Sequence, residues 1–203
     1  MRLIENRDGF SIVEALVVLG VIGILVAMGG SLAANYSIRK SVDRITGDIS
    51  SSLQIAKLKA ARQGVEYRTL FASCADLDTT DSNCFVCSDY DDYIAVPPDE
   101  TLTIIRERGN SNIGSTSWCV ESNVTGKIPS KITLDLSSLQ DEPMRYSFNP
   151  DGTLGAESGT VNINPTSDVK GQRCGRIVVT PFGRIRAIQG NWDAASDTCK
   201  PIR

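Results

Sequence analysis

One acidic side chain interrupts an otherwise apolar stretch near the start of the chain. Residues 10–30 read FSIVEALVVLGVIGILVAMGG, and Glu14 is the only ionisable residue among them. A carboxylate in a hydrocarbon environment costs on the order of 2.5–3.5 kcal/mol, so such a charge normally has a partner. A new amino terminus, made by cleavage between Gly9 and Phe10, is the partner that the sequence offers.

Two arginines near the carboxyl end lie two residues apart in segment 183–186, which reads GRIR. On a strand, Arg184 and Arg186 would share one face about 7 Å apart, which is close to the spacing of phosphates along DNA. Residues 65–169 hold six basic and seventeen acidic side chains, whereas residues 170–203 hold seven and two. This basic end makes double-stranded DNA a candidate partner. The alternative is that the arginines pair with the acidic body or solvate an edge strand.

Six cysteines follow the apolar stretch, and their even number is typical of disulfides formed in an oxidising compartment. They are Cys74, Cys84, Cys87, Cys119, Cys174 and Cys199. The lone C-x-x-C at 84–87 has no second pair and the chain has no histidine, so it does not fit a zinc site. The pairing is open, although Cys174 and Cys199 flank the last hairpin and are a candidate pair.

The chain shows no constellation of an enzyme. Without histidine there is no Ser–His or Cys–His relay, and no phosphate-binding or dinucleotide-binding glycine motif occurs. We therefore expect no catalytic residue, no cofactor and no resident metal. Segment 78–92 carries five aspartates that fit either a solvated loop or a Ca²⁺ site without EF-hand spacing. They are Asp78, Asp81, Asp89, Asp91 and Asp92.

Helical periodicity continues beyond the apolar stretch and predicts one helix over about 10–63. Segment 10–34 is long enough to span a bilayer, with the start of the chain on the cytoplasmic side. Segment 35–64 is amphipathic, and Gly64 is a candidate C-cap. Gly29, Gly30 and Ser31 fit either a flexible joint or a plain helix. The apolar stripe predicted to pack on a head domain comprises Ile38, Val42, Ile45, Ile49, Leu53, Ala56 and Ala60.

Beyond Gly64 the pattern changes to short strands separated by turns, which predicts a β head over 65–203. The predicted strands are 65–72, 101–108, 132–136, 145–149, 160–164, 176–180 and 183–188. Segments 149–152 (NPDG) and 181–183 (PFG) are predicted turns. The acidic segment 73–100 contains three cysteines and few strand signals, so we expect a long loop pinned by disulfides. The fold class is therefore α+β, with a long N-terminal membrane-spanning helix packed on a small antiparallel sheet.

The start of the chain resembles the class III signal of type IV prepilins and type II secretion pseudopilins. The matching features are Gly9, Phe10, Glu14 and the apolar run that follows them. The resemblance implies that a prepilin peptidase removes residues 1–9 and methylates the amine of Phe10. It also implies that Glu14 pairs with a terminal amine as the subunit joins other pilins in a filament. The processed protein would sit in the inner membrane with its head in the periplasm before assembly.

The head resembles the GspH/FimT family of minor pseudopilins and minor pilins. The resemblance rests on LQIAKLKAARQG, YSFNPDGTLGAESGTVNI and RIVVTPFGRIRAI, and residues 73–130 fall outside it as an apparent insertion. It implies a pilin-like fold, and the GRIR segment is similar to a motif of DNA-binding minor pilins. Three functions stay open: a minor pilin that binds DNA, a pseudopilin of type II secretion, and an unprocessed single-pass anchor for a binding domain.

Overall fold

The computed structural model describes most of the chain. It covers residues 12–81, 84–92, 95–139, 144–155, 158–166, 172–193, 196 and 198–202. Only the backbone is described for residues 25–35, 75–81, 84, 88–89 and 91–92. The chain divides into two compact units, Met1–Ser37 and Ile38–Arg203.

A single helix, α1, runs from Ile12 to Gln63 and passes through 29–31 without a break. It ends where Gly64 adopts φ 71° and donates its N–H to the Ala60 carbonyl oxygen at 3.0 Å. Only glycine adopts this conformation without a steric penalty, so Gly64 terminates the helix as predicted. In the described part of the chain, no helix combines the length and apolar character needed to cross a membrane. Residues 10 and 11 of the predicted span 10–34 lie outside the described residues, and the side chains of residues 25–34 are not described.

The head contains two antiparallel sheets. In the described residues, one sheet has five strands in the order β2-β5-β4-β1-β7, and the other has six in the order β11-β10-β9-β8-β6-β3. The strands are β1 (Tyr67–Asp81), β2 (Cys84–Asp92), β3 (Ala95–Val96), β4 (Thr101–Gly109), β5 (Trp118–Lys127), β6 (Ile132–Asp135), β7 (Arg145–Phe148), β8 (Gly159–Pro165), β9 (Arg173–Val179), β10 (Ile185–Asp193) and β11 (Thr198–Pro201).

The second half of α1 forms one core with both sheets. All seven residues of the predicted helical stripe are buried, none more than 7% exposed. They pack in one apolar cluster with Phe71 and Ile104 of the five-stranded sheet and with Ile163 and Ile177 of the six-stranded sheet. Fully burying a Val, Leu, Ile or Phe side chain contributes about 1.5–3 kcal/mol to stability. The predicted α+β fold, with a helix packed on antiparallel sheets, is confirmed.

All seven predicted strands are present, with shifted ends, but the predicted loop 73–100 is wrong. β1 continues from Tyr67 to Asp81 and forms a hairpin with β2, in which Ala72 lies opposite Asp92 and Asp81 opposite Cys84. Aspartate is depleted in strands, and this segment is rich in aspartate, so the sequence pattern did not indicate the hairpin. β5 was also missed, because its residues alternate only weakly in polarity and none of them is fully buried.

The hairpin closes four strands of the first sheet into a ring. β1 pairs with β2, β2 with β5, β5 with β4, and β4 with β1. The facing pair Leu70 and Ile105 is buried, as are Ala72 and Cys87, yet these side chains lie outside the main apolar cluster. β1 and β4 are therefore buried on both faces, and the hairpin covers a second, smaller core.

An ion pair is buried between neighbouring strands of this ring. Arg68 Nε donates to Glu107 Oε2, and the Glu107 side chain is 0% exposed. The Tyr90 hydroxyl donates to Glu107 Oε1 at 2.5 Å, and the Arg68 guanidinium lies 4.2 Å from the centre of the Trp118 ring. Burial and the hydrogen bond to Glu107 raise the pKa of Tyr90, so its hydroxyl stays a donor across physiological pH. Both oxygens of the buried carboxylate are thereby satisfied.

We expect Glu107→Gln to lower the free energy of unfolding by about 3–5 kcal/mol, because it leaves the Arg68 guanidinium buried without a counter-charge. The double variant Arg68→Met, Glu107→Leu should be less destabilised than either single charge deletion, because it removes both buried charges. Urea denaturation of the full-length chain, followed by tryptophan fluorescence, measures both.

The matched control is Lys127→Gln, which removes an ion pair with Asp99 whose side chains are 69% and 61% exposed. We expect that change to cost less than about 1 kcal/mol. Equal losses in Glu107→Gln and Lys127→Gln would contradict the assignment of a buried pair that stabilises the ring.

Candidate functional site

The processing signal is only partly within the described residues. Gly9 and Phe10 lie outside them, so the predicted cleavage and methylation sites stay predictions. Glu14 lies in the first turn of α1, and its side chain is exposed. A carboxylate in the first turn interacts favourably with the helix dipole, although only by about 0.3–1 kcal/mol at an exposed position.

The helix around Glu14 exposes apolar side chains on all sides. Nine large aliphatic residues between positions 12 and 24 are 47–81% exposed: Ile12, Val13, Leu16, Val17, Val18, Leu19, Val21, Ile22 and Ile24. Over 13 residues a helix turns more than three times, so these side chains surround the axis rather than form one stripe. A helix that is apolar all round is stable only when other apolar groups surround it.

The two arginines of the predicted DNA site flank the start of β10. Val179 of β9 lies opposite Ile185, and residues 181–183 form the turn between the strands. The Gly183 N–H donates to the Thr180 carbonyl oxygen at 2.7 Å, and the Thr180 N–H to that of Arg184 at 3.1 Å. Arg184 lies just before β10, so strand alternation places only Arg186 on a defined face. Both side chains are exposed, and within the described residues neither makes an ion pair.

A third arginine shares the face of Arg186. Arg186 lies opposite Val178, and Arg176 lies opposite Ile188. Since opposite residues of an antiparallel pair share a face, Arg176 and Arg186 lie diagonally on the side away from the main core. Two of the other cations of the basic end have acidic partners in the described part of the chain. Arg173 contacts Asp43 of α1 at 3.4 Å, Lys200 pairs with Asp193, and Arg203 lies outside the described residues.

A lysine of α1 anchors the turn that carries Arg184. Lys57 Nζ donates to the Gly183 carbonyl oxygen at 2.8 Å. The same turn contacts the predicted NPDG turn, since the Leu154 N–H donates to the Pro181 carbonyl oxygen at 3.0 Å. A Cβ at Gly183 would lie 1.8 Å from the Gly152 carbonyl oxygen, and φ there is +67°, so only glycine fits. The sequence pointed to neither the Lys57 contact nor the packing of the two turns.

Disulfide bonds link strands within each of the two sheets. Cys74 is bonded to Cys87 and Cys174 to Cys199. The first bond links β1 to β2, so Cys87 does not pair with Cys84 within the C-x-x-C segment. Cys119 is also disulfide-bonded, and the side chain of Cys84 is outside the description. The bond between Cys174 and Cys199 ties the last strand to β9, which is the candidate pairing named from the sequence.

Gly190 makes the tail disulfide sterically feasible. It lies on β10, opposite Cys174 of β9 and opposite Pro201 of β11. A Cβ at Gly190 would lie 2.3 Å from the Lys200 carbonyl oxygen and 2.8 Å from Cys199 Sγ. The tail strand therefore lies directly against the glycine. Sequence reasoning missed this residue, although a glycine within a strand is a recognised signal of close backbone approach.

Two carboxylates elsewhere on the head, those of Glu121 and Glu66, accept structural hydrogen bonds. Burial, with repulsion from the Glu121 carboxylate that accepts its hydrogen bond, raises the pKa of Tyr67 to about 12. The Glu66 carboxylate accepts the N–H groups of Gly114 (3.1 Å) and Ser115 (2.6 Å), which orders the β4–β5 connection. The five aspartates of the Ca²⁺ alternative have side chains outside the description, so that alternative is untested.

A small cleft opens between α1 and the β4–β5 pair. Its volume is about 80 Å³, and Arg44 and Asp48 of the helix lie beside Ile104 and Val124 of the strands. Sites for small molecules generally measure about 300–1,000 Å³. The cleft is below that range and has room for about one side chain.

Comparison with known proteins finds similarity at the level of the fold. No family model matches the sequence, and no curated protein matches it. Two crystal forms of the type IV minor pilin FimU of Pseudomonas aeruginosa are each 14% identical, with TM-scores of 0.44 and 0.39; they cover 74% and 71% of this chain and each 90% of FimU. The minor pseudopilin EpsH of the Vibrio cholerae type 2 secretion system is 12% identical, with a TM-score of 0.42, covering 73% of this chain and 96% of EpsH. At these values the comparisons carry no argument about function.

We expect Gly190→Ala to impair the tail disulfide, because its Cβ would occupy the space of the Lys200 carbonyl and Cys199 Sγ. Gly126→Ala is the matched control, since Gly126 also lies in a strand and a Cβ there meets nothing within 4 Å. Non-reducing peptide mapping should show a reduced yield of the peptide linking Cys174 to Cys199 in the first variant only. Full oxidation of Gly190→Ala at unchanged stability would contradict the packing described.

Proposed function

We propose that the protein is a minor subunit of a type IV pilus-like filament. The observation that carries the proposal is the division of α1 into two functional parts. Its second half is built into the core of the head, whereas residues 12–24 expose apolar side chains around a single carboxylate. Such a helix needs an apolar surround with one cationic partner, and a bundle of processed pilin helices provides both.

In this proposal, the leader 1–9 is removed by a prepilin peptidase and the amine of Phe10 is methylated. The apolar segment 10–34 holds the subunit in the inner membrane, with the head in the periplasm, until it is assembled. Glu14 of the incoming subunit then pairs with the terminal amine of a neighbour. Leaving a carboxylate unpaired in an apolar bundle costs several kcal/mol, so the pair favours the assembled register.

Two alternatives to a pilus subunit remain distinct. A minor pseudopilin of type II secretion uses the same signal and helix, so the genes beside this one discriminate between them. Secretin and secretion-ATPase genes would favour the pseudopilin, and pilus or competence genes would favour the pilin. An unprocessed single-pass anchor for a binding domain is the other alternative, and it predicts an intact leader.

Mass spectrometry of the native protein tests the processing. We expect a mature chain of 194 residues that begins at methylated Phe10, because removing nine residues from 203 leaves that length. In the same cells, Glu14→Ala should still reach the membrane but should no longer co-purify with other pilins, since the amine of its neighbour loses its counter-charge.

Glu100→Ala is the matched control for this experiment, because it removes an exposed carboxylate of the head. We expect that variant to co-purify with other pilins as the unmodified protein does. An intact leader on the native protein would refute the filament subunit in favour of the unprocessed anchor. Normal incorporation of Glu14→Ala would refute the docking role alone.

A second proposed function is DNA binding by the basic end of the head. The supporting observation is that Arg176, Arg184 and Arg186 are exposed and, among the described residues, carry no ion pair, whereas Arg173 and Lys200 do. Arginine forms bidentate hydrogen bonds with phosphate oxygens, so these side chains suit a nucleic acid backbone. Binding of double-stranded DNA would be weak and largely independent of base sequence, because phosphate contacts carry no sequence information.

We expect the change of Arg184 and Arg186 together to Gln to remove most of the affinity for double-stranded DNA. The slope of log affinity against log salt should flatten by about two units, because each phosphate contact contributes about −0.9. The measurement is a DNA titration of the full-length chain in a neutral detergent over a range of salt concentrations.

The double change of Lys127 and Lys131 to Gln is the control, because it removes the same charge from an exposed region of the acidic body. We expect it to change the slope little. Should the unmodified protein fail to bind excess DNA even at low salt, DNA binding is refuted and the secretion pseudopilin is favoured over the DNA-binding pilin.

A further inference from the structure

The most exposed large apolar side chain of the described head lies in the turn 181–183 between β9 and β10, just before Arg184. Phe182 is 82% exposed, whereas the other large aromatic of the basic end, Trp192, is 8% exposed. Single exposed apolar residues are common on protein surfaces and need no explanation by themselves. The surroundings of Phe182 distinguish it, because its turn is held rigidly and lies beside unpaired cations.

The Phe182 backbone is held from both neighbouring residues. On one side, the Pro181 carbonyl oxygen accepts the Leu154 N–H at 3.0 Å. On the other, the Gly183 carbonyl oxygen accepts Lys57 Nζ at 2.8 Å, and the Gly183 N–H donates within the turn. An aromatic ring on a fixed backbone loses little conformational entropy on binding, since only two side-chain torsions remain to be ordered.

The charges around the turn favour a nucleic acid over a protein partner. Arg184 is two residues from Phe182, and Arg186 and Arg176 follow on the adjoining strands. Proteins that bind single-stranded nucleic acid combine cationic side chains that contact the phosphates with aromatic rings on which the bases stack. An isolated duplex keeps its base faces stacked inside, whereas a single strand presents them to the ring.

We propose that Phe182 stacks on an unpaired base while Arg184 and Arg186 contact the adjacent phosphates, so that this turn recognises single-stranded DNA. The inference rests on the proposed binding of double-stranded DNA by the basic end. It adds single-stranded DNA as a further ligand of the same surface and names the residue that stacks on its bases. Stacking involves no phosphate, so the contribution of Phe182 is independent of salt. The two arginines, in contrast, account for the salt dependence.

The test is a titration of the full-length chain in neutral detergent with a labelled oligodeoxynucleotide of about 15 nucleotides, single-stranded or as a duplex. We expect Phe182→Ala to weaken single-strand binding about tenfold with an unchanged salt slope, and duplex binding less than about twofold. Phe182→Trp should restore single-strand binding, because indole also stacks. Changing Arg184 and Arg186 to Gln should instead flatten the salt slope for both ligands.

The outcomes separate this inference from the function on which it rests. If the unmodified chain binds both ligands and Phe182→Ala binds the single strand equally well, the stacking role is refuted and DNA binding through the arginines survives. If the unmodified chain binds neither, both proposals fail. If Phe182→Ala keeps its DNA affinity but no longer co-purifies with other pilins, Phe182 is a protein-docking residue and the inference is overturned. Circular dichroism of Phe182→Ala should match that of the unmodified chain, since the ring is exposed.

Discussion

The burial of one helical stripe is the constraint on which the rest of the head depends. The second half of α1 presents side chains every three or four residues, and both sheets contact the same stripe within one apolar cluster. Neither sheet covers its own inner face, so the main core forms only when both sheets pack on the helix. Ala56 and Ala60 of this stripe are fully buried, so a larger side chain at either position would have to displace its neighbours.

The acidic segment after β1 has a structural role of its own. By pairing with β1 and touching β5, the β2 strand turns part of an open sheet into a closed ring and covers the pair Leu70 and Ile105. Closure removes an exposed sheet edge and buries the second face of β1 and β4. The Arg68–Glu107 pair lies in this second core, where it is satisfied by Tyr90 and Trp118. Burying two charges is tolerable only with such complete pairing.

The surface that carries Arg176, Arg184 and Arg186 is held in place by contacts between residues that are distant in sequence. Lys57 on the helix, Gly152 in one turn and Gly183 in another meet at a single point, which fixes the direction of the β9–β10 turn. The tail disulfide ties β11 to the adjoining strands across Gly190. The arginines of this end fall into two groups. Arg173 forms an ion pair with Asp43 of α1, whereas Arg186 faces solvent.

The amino-acid sequence alone determined the features that depend on local chemistry. Periodicity identified the buried stripe from Ile38 to Ala60, glycine identified the helix end at Gly64, and turn residues identified the connections at 149–152 and 181–183. Tertiary structure alone decided the ring, the pairing of Cys74 with Cys87, and the anchoring role of Lys57. These features depend on which faces of distant strands come together, and a strand rich in aspartate acquires its β conformation from its neighbours rather than from its own propensity. Local sequence patterns indicate the secondary structure that a segment prefers. Pairing with strands many residues away determines the conformation that the segment adopts.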